Sequence, residues 1–288
     1  MKKFTYKNKS FSTQKELFSF LCENEKAIIT QKKSISFTDA LAFKTSFAEN
    51  TIEKIEAVKN RLKVDGEEIT DNKDIDIVNV IVIGNTMNWL DSQDDVLIND
   101  CFKKSLQESQ GKFKHLCDHN QKTTGKIGIP NKVYLEDRQI RDLGFNQDGN
   151  TQVLTMDSNV LKCYNENLFY QYLNNDIDQH SVGMIYVKLI LCINDSENEE
   201  KFKNWNTYFS SIINKEEATA NGYFFAVTEA KLLEVSAVLF GANSLTPTIS
   251  TNPIVEPSND TQKQSEPPIE GTQIIPEPTV QKKKLFIN

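Results

Sequence analysis

The sequence predicts an α+β fold, in which a small barrel of mostly antiparallel strands is surrounded by a few helices. Two stretches rich in Val and Ile, residues 75–83 and 182–193, are typical of buried β-strands. Turn-forming residues, Gly144 and the run 148–150, separate further segments of β type. Segments with apolar residues at helical spacing lie between them. Mostly antiparallel strands with a few helices indicate an α+β domain.

The predicted elements of this domain follow one another between residues 75 and 244. Asp94 and Asp95 predict the cap of a helix that reaches Leu106. Further strands are predicted at 126–136, 139–146 and 150–157, followed by a helix from Leu161 to Leu173. A helix within 194–217 and two strands, at 223–228 and 231–240, complete the domain.

The regions that flank this domain differ from it in character. Residues 1–70 predict a small separate unit, with a hairpin turn at 7–9, a helix opened by the capping-box pair Thr13 and Glu16, and a second helix at 49–62. Residues 245–288 are rich in Pro, Thr and Ser and predict a disordered tail, because they bury too little apolar surface to offset their ordering entropy. The basic and apolar end of the tail is either a solvated terminus or a short docking peptide.

Composition excludes several classes of protein. The chain has 288 residues, of which 38% are hydrophobic and 25% charged, as in an ordinary globular protein. A net charge of -7 argues against a nucleic-acid binder, which needs a basic face. The longest apolar runs are far too short to cross a membrane, and the basic start lacks the apolar stretch of a secretory signal.

Cysteine usage indicates a reducing, cytoplasmic compartment. The five cysteines are odd in number and scattered, and no pair has C-x-x-C spacing. The pattern therefore predicts neither a disulfide framework nor a zinc site, and no other metal or cofactor site is predicted.

The scarcity of histidine makes each of the three worth weighing as a catalytic base: His115, His119 and His180. His119 stands between an apolar segment and a polar loop, a position suited to a cleft, although the spacing alone favours a hydrogen-bonded structural histidine. Ser181 opens a predicted strand, and Gly183 on the same face allows a substrate backbone to approach closely. The alternative is a serine that only begins a strand.

Three further residues are considered for a catalytic role in addition to Ser181 and His119: His180, Cys117 and Glu234. Successive strand side chains point to opposite faces, so His180 is a poor base for its neighbour Ser181. Cys117 is interpreted as a packed thiol rather than a nucleophile. Glu234 lies inside an apolar strand, where a carboxylate is costly to bury without a partner. An imidazole N–H would be such a partner, whereas a solvated face or a lysine would also account for Glu234.

Four segments taken together resemble the prohead proteases of tailed bacteriophages, which are related to the herpesvirus assemblins. The first segment is Asp94-Asp95-Val96 with Cys101-Phe102, and the second is Asp118-His119-Asn120 with Ile127-Gly128. The third is His180-Ser181-Val182-Gly183-Met184, and the fourth is Leu233-Glu234-Val235-Ser236 with Gly241-Ala242-Asn243. Each motif is weak alone, but the four occur in the family's order. The resemblance runs from about Ile75 to Thr246.

The resemblance implies an assemblin-like antiparallel β-barrel and a serine endopeptidase. Ser181 would be the nucleophile and His119 its base, while Glu234 would orient His119, with Asp118 as a weaker substitute. The substrates implied are the scaffold protein, an extension of the major capsid protein, and the chain itself, inside a procapsid that assembles in the host cytoplasm. A homodimer, as in assemblins, is left open.

Two other functions fit the same sequence. One is a catalytically inactive structural or scaffold-like capsid component on the same fold. The other is a host-encoded interaction module whose four motif matches arose by chance. Loss of cleavage on Ser181→Ala, or covalent labelling of Ser181, would separate the enzyme from both.

Overall fold

The computed structural model describes residues 4–34, 63–64, 67–68 and 75–255. The N-terminal hairpin pairs β1 (Phe4–Tyr6) with β2 (Lys9–Phe11), and α1 (Gln14–Ser34) follows. The predicted N-cap is confirmed, because Thr13 Oγ1 accepts from the Glu16 N–H at 3.1 Å. The reciprocal bond differs from a strict capping box: Glu16 Oε2 accepts from the N–H of Ser12, one residue before the cap, at 2.9 Å. The second helix predicted at 49–62 lies outside the described residues.

The prediction of a separate N-terminal unit is wrong for residues 4–34. Tyr6, Leu17, Phe18 and Leu21 are buried in the same hydrophobic cluster as the sheet residues, and α1 packs against the strand His180–Ile193. The described residues 4–34 and 75–255 accordingly belong to one compact unit. The apolar face of α1 is too large to be buried by a hairpin of two three-residue strands alone, so it packs on the main core.

One sheet dominates the rest of the described chain. Its strands, after the small pair β3 (Lys63–Val64) and β4 (Glu67–Glu68), are β5 (Ile75–Thr86), β6 (Asp95–Leu97), β7 (Lys114–Cys117), β8 (Lys126–Gln139), β9 (Asn150–Leu161), β10 (His180–Ile193), β11 (Tyr223–Ala237) and β12 (Thr248–Val255). The order is β10-β11-β7-β8-β9-β5-β12, with β6 also beside β11. β6 and β7 run parallel to β11, and the other neighbours are antiparallel.

Short helices surround this sheet, which confirms the predicted α+β class. They are α2 (Lys103–Ser109), α3 (Glu166–Leu173), α4 (Glu199–Tyr208) and α5 (Lys215–Asn221). The sheet curls strongly: a Cβ added at Gly84 of β5 would lie 3.0 Å from Val235 Cγ2 of β11 and 3.4 Å from Val182 Cγ1 of β10. Within the described residues, however, no hydrogen-bonded ladder joins β10 to β12, so the sheet does not close into a barrel.

Several predicted boundaries are corrected by capping and by the lengths of the strands. The helix predicted from Asp94 begins only at Lys103, because Asp91 Oδ1 accepts from the Asp95 N–H and directs the chain into β6. Strand β9 extends through Leu161, and α3 starts where Asn165 Oδ1 accepts from the Leu168 N–H at 3.0 Å.

Other predicted elements merge or divide. The strands predicted at 126–136 and 139–146 are the single β8 and a 3₁₀ turn, Ile140–Leu143. Those predicted at 223–228 and 231–240 are the single β11. The predicted strand 182–193 is confirmed as β10, and the predicted helix within 194–217 is observed as two, α4 and α5.

The predicted disordered tail begins too early. Residues 248–255 form β12, which pairs with β5 from Thr248 opposite Val82 to Val255 opposite Ile75. Leu245 and Thr246 are buried as well. Composition predicted disorder from the lack of apolar residues, whereas a strand at a sheet edge is held largely by backbone hydrogen bonds. The remainder of the predicted tail lies outside the described residues.

Candidate active site

The pairing of β10 with β11 sorts the candidate residues onto one face of the sheet. Ser181 lies directly opposite Ser236, and Gly183 lies opposite Glu234. Residues directly opposite in an antiparallel pair share a face, as do residues two apart along a strand. These four residues therefore lie together on the outer face, while Val235 points into the core.

His119 reaches this face from the loop that follows β7. The chain turns there through two residues with left-handed backbone conformations, Asp118 with φ 49° and His119 with φ 53°. The Asp118 N–H donates to the carbonyl of Ala237 at 3.0 Å, which fastens the turn to the end of β11. The turn brings the imidazole of His119 over the carboxylate of Glu234.

The contact between His119 and Glu234 is short and largely shielded from water. His119 Nδ1 lies 2.6 Å from Glu234 Oε1, and the two side chains are 19% and 3% exposed. A carboxylate accepts hydrogen bonds, so Nδ1 carries the proton and Nε2 is left as the basic nitrogen. This is the orientation that a histidine base requires of an acidic partner.

Ser236 completes the arrangement, and sequence reasoning gave it no role. Its hydroxyl donates to Glu234 Oε2 at 2.7 Å and accepts from the backbone N–H of His119 at 3.1 Å. The signal was present in the sequence, because residues two apart on a strand share a face and Ser236 follows Glu234 by two. The contact to His119, 117 positions earlier, was not visible there.

Ser181 lies one cross-strand step from this group. It is partly exposed at the start of β10, and side chains directly opposite in a ladder have Cβ atoms about 4.5–5.5 Å apart. Its opposite residue is Ser236, which bonds both His119 and Glu234. The structure therefore places Ser181, His119 and Glu234 at one end of the β10–β11 pair.

The other two histidines belong to a buried hydrogen-bond chain on the core side. Tyr172 Oη lies 3.2 Å from His115 Nε2 and 2.9 Å from His180 Nε2. Further along the chain, His115 Nδ1 contacts Ser158 Oγ at 3.0 Å and His180 Nδ1 contacts the Thr246 carbonyl at 2.9 Å. The Thr246 carbonyl only accepts, so His180 Nδ1 carries the proton and His180 Nε2 accepts from the Tyr172 hydroxyl. The Tyr172 oxygen then accepts from His115 Nε2–H, and His115 Nδ1 accepts from the Ser158 hydroxyl.

Burial keeps both imidazole rings of this hydrogen-bond chain neutral. Burial lowers the pKa of His115 to about 3, with His180 as a further cause, and burial lowers the pKa of His180 to about 4. Both rings are fully buried, so His119 is the one histidine whose side chain is open to solvent. The argument that strand alternation directs His180 away from Ser181 is confirmed.

Cys117 and Asp118 interact with each other. Cys117 Sγ donates to Asp118 Oδ2 at 3.2 Å. Burial, together with this hydrogen bond, raises the pKa of Cys117 to about 12, so the thiol stays protonated and does not act as a nucleophile. The carboxylate that contacts the His119 ring is that of Glu234, which disfavours Asp118 as the orienting acid.

The described part of the chain contains no group of three or more His, Cys, Asp or Glu side chains placed to hold a metal ion. Within the same residues, no helix is long and apolar enough to cross a membrane. Comparison of the chain with protein-family models, with curated proteins and with solved structures finds no match.

Proposed function

We propose that the chain is a serine endopeptidase of the prohead-protease type, with Ser181 as nucleophile, His119 as base and Glu234 as the orienting acid. The observation that carries the proposal is the 2.6 Å contact between His119 Nδ1 and Glu234 Oε1 on the face that also presents Ser181. Four sequence motifs first pointed to these three residues, and their clustering supports that choice. The curled, open sheet would be a variant of the assemblin-like barrel.

The chemistry follows the usual course of acyl transfer. Ser181 Oγ attacks the carbonyl carbon of the scissile peptide as His119 Nε2 takes its proton, and Glu234 stabilises the imidazolium that forms. The imidazolium then gives the proton to the leaving amine, and an acyl-enzyme remains. A water molecule, deprotonated by His119, hydrolyses this ester and regenerates Ser181. The substrate would approach Ser181 from the outer face of the β10–β11 pair, where Ser181 is partly exposed.

The substrates we propose are the scaffold protein and an extension of the major capsid protein, cleaved inside an assembling procapsid in the host cytoplasm, and the chain itself. These rest on the resemblance of the four motifs. The proposal requires no metal or cofactor, and it is compatible with a homodimer as in assemblins.

The test is co-expression of the chain with its capsid and scaffold proteins, followed by measurement of fragment masses. Ser181→Ala is compared with Ser196→Ala, a matched change at an exposed serine beyond β10. We expect fragments with the wild type and with Ser196→Ala, and none with Ser181→Ala. Intact partners in all three, in proheads that have assembled, would instead favour the inactive structural component.

Covalent labelling gives an independent readout that needs no substrate. A fluorophosphonate probe should modify Ser181 in the wild type, and the modified peptide should be identified by mass spectrometry. Labelling should be lost in His119→Ala, because the hydroxyl then has no base. A chance interaction module would show no labelling at Ser181.

A further inference from the structure

We propose that Ser236 is a positioning residue for the His119–Glu234 pair. Its catalytic meaning rests on the proposed function, but its structural role is independent of it. Ser236 is fully buried in β11, and its hydroxyl contacts both members of the pair at once. Glu234 contacts His119, and in the proposed function His119 takes the proton of Ser181, whereas Ser236 acts through His119 and Glu234.

The direction of both hydrogen bonds is determined by their partners. A backbone N–H only donates, so Ser236 Oγ accepts from His119 at 3.1 Å. A carboxylate only accepts, so the single hydroxyl proton of Ser236 goes to Glu234 Oε2 at 2.7 Å. One hydroxyl therefore joins the backbone of the base to the side chain of the acid.

The first consequence is the orientation of the carboxylate. Glu234 Oε2 is held by Ser236, and Oε1 is thereby directed at His119 Nδ1. The Glu234 side chain is only 3% exposed, so water has little room to replace the hydroxyl. Without Ser236, one oxygen of a buried carboxylate loses its partner and the group is free to rotate away from His119.

The second consequence is the conformation of the turn that carries the base. Left-handed backbone is strained in a residue with a side chain, and Asp118 and His119 both adopt it. The hydrogen bonds from Asp118 N–H to the Ala237 carbonyl and from His119 N–H to Ser236 Oγ hold this strained turn in place. The Ala237 carbonyl belongs to the backbone, whereas the Ser236 hydroxyl belongs to a side chain and can be removed by substitution.

The kinetic test compares Ser236→Ala with Ser105→Ala. Ser105 is a matched control because its buried hydroxyl also accepts a backbone N–H from β11, that of Leu232 at 2.9 Å, away from the site. We expect Ser236→Ala to lower kcat for a peptide substrate by about 10- to 100-fold with KM unchanged, because misorientation of a catalytic group acts on the chemical step. Ser105→Ala should leave kcat unchanged. Equal kcat in both variants would overturn the proposal.

A spectroscopic test decides the same point without activity. In a Ser181→Ala background, which prevents self-cleavage, the His119 Hδ1 proton bonded to Glu234 should give a far-downfield ¹H resonance. We expect it to be lost or broadened by exchange with Ser236→Ala and retained with Ser105→Ala. An unchanged resonance in Ser236→Ala would overturn the positioning role. Absence of cleavage by the wild type would refute the proposed function and leave this result valid.

Discussion

Tyr172 is the most informative single site for stability, because it lies at the centre of the buried series of hydrogen bonds that links Ser158 to Thr246 through His115 and His180. Tyr172 is fully buried, and its hydroxyl is the link between His115 and His180. Tyr172→Phe removes that oxygen alone and keeps the ring. The substitution therefore tests whether the hydrogen-bond chain, rather than packing of the ring, stabilises the region behind Ser181.

The expected loss follows from the partners that the hydroxyl leaves behind. Without it, the His115 Nε2–H has no acceptor and His180 Nε2 has no donor, and both rings are 0% exposed. Each buried group without a partner costs about 1–3 kcal/mol, so the two together predict a loss of about 2–6 kcal/mol in the free energy of unfolding. Domains typically have about 5–15 kcal/mol in total, so the loss would be large.

The assay is urea unfolding near neutral pH, followed by the fluorescence of the two tryptophans. Tyr164→Phe is the control, because its hydroxyl accepts from Lys126 at an exposed position and its removal should cost less than about 0.5 kcal/mol. A loss below about 1 kcal/mol for Tyr172→Phe would refute the reasoning. It would mean that water or a shift of the rings satisfies both histidines.

Three further predictions follow from the same contacts. Because burial lowers the pKa of His115 and His180 below 6.5, the unfolded chain binds more protons in acid, and stability should fall by up to about 2.7 kcal/mol per pH unit between pH 6 and 5. Lys32→Met should cost about 3–5 kcal/mol in urea unfolding, since it leaves the buried carboxylate of Asp95 without its cation at 2.7 Å. Glu234→Gln should lower kcat about 10²- to 10⁴-fold in a peptidase assay, because an amide at this position favours the wrong tautomer of the base.

Each of these predictions has a matched control or a contradicting result. A free energy of unfolding that stays constant from pH 6 to 5 would contradict the assignment of two neutral buried rings. Lys15→Met removes an exposed ion pair with Glu197 and should leave the free energy of unfolding close to that of the wild type, because water already screens the pair. Glu229→Gln changes a more exposed carboxylate of β11 and should leave kcat unchanged, so an equal fall in both variants would argue against a special role for Glu234.

Local chemistry allowed several elements to be predicted. Thr13 caps α1 through a residue three positions away, and the apolar run of β10 is long enough to predict a strand without knowledge of its neighbours. Where the sequence misled, distant contacts were decisive. Asp95 favoured a helix cap locally, but in the structure it binds Lys32 and Tyr186 and belongs to β6.

The candidate site divides in the same way. Strand alternation already separated Ser181 from His180, and the cost of burying a charge already required a partner for Glu234. By itself the sequence determined the α+β class, the start of α1 and the residues able to supply a nucleophile, a base and an acid. Only the tertiary structure decided that Glu234 forms a hydrogen bond with His119, 115 positions away, and that Ser236 forms hydrogen bonds with both. The reason is physical: side-chain chemistry is local, whereas strand register and the left-handed turn at His119 come from pairing between distant parts of the chain.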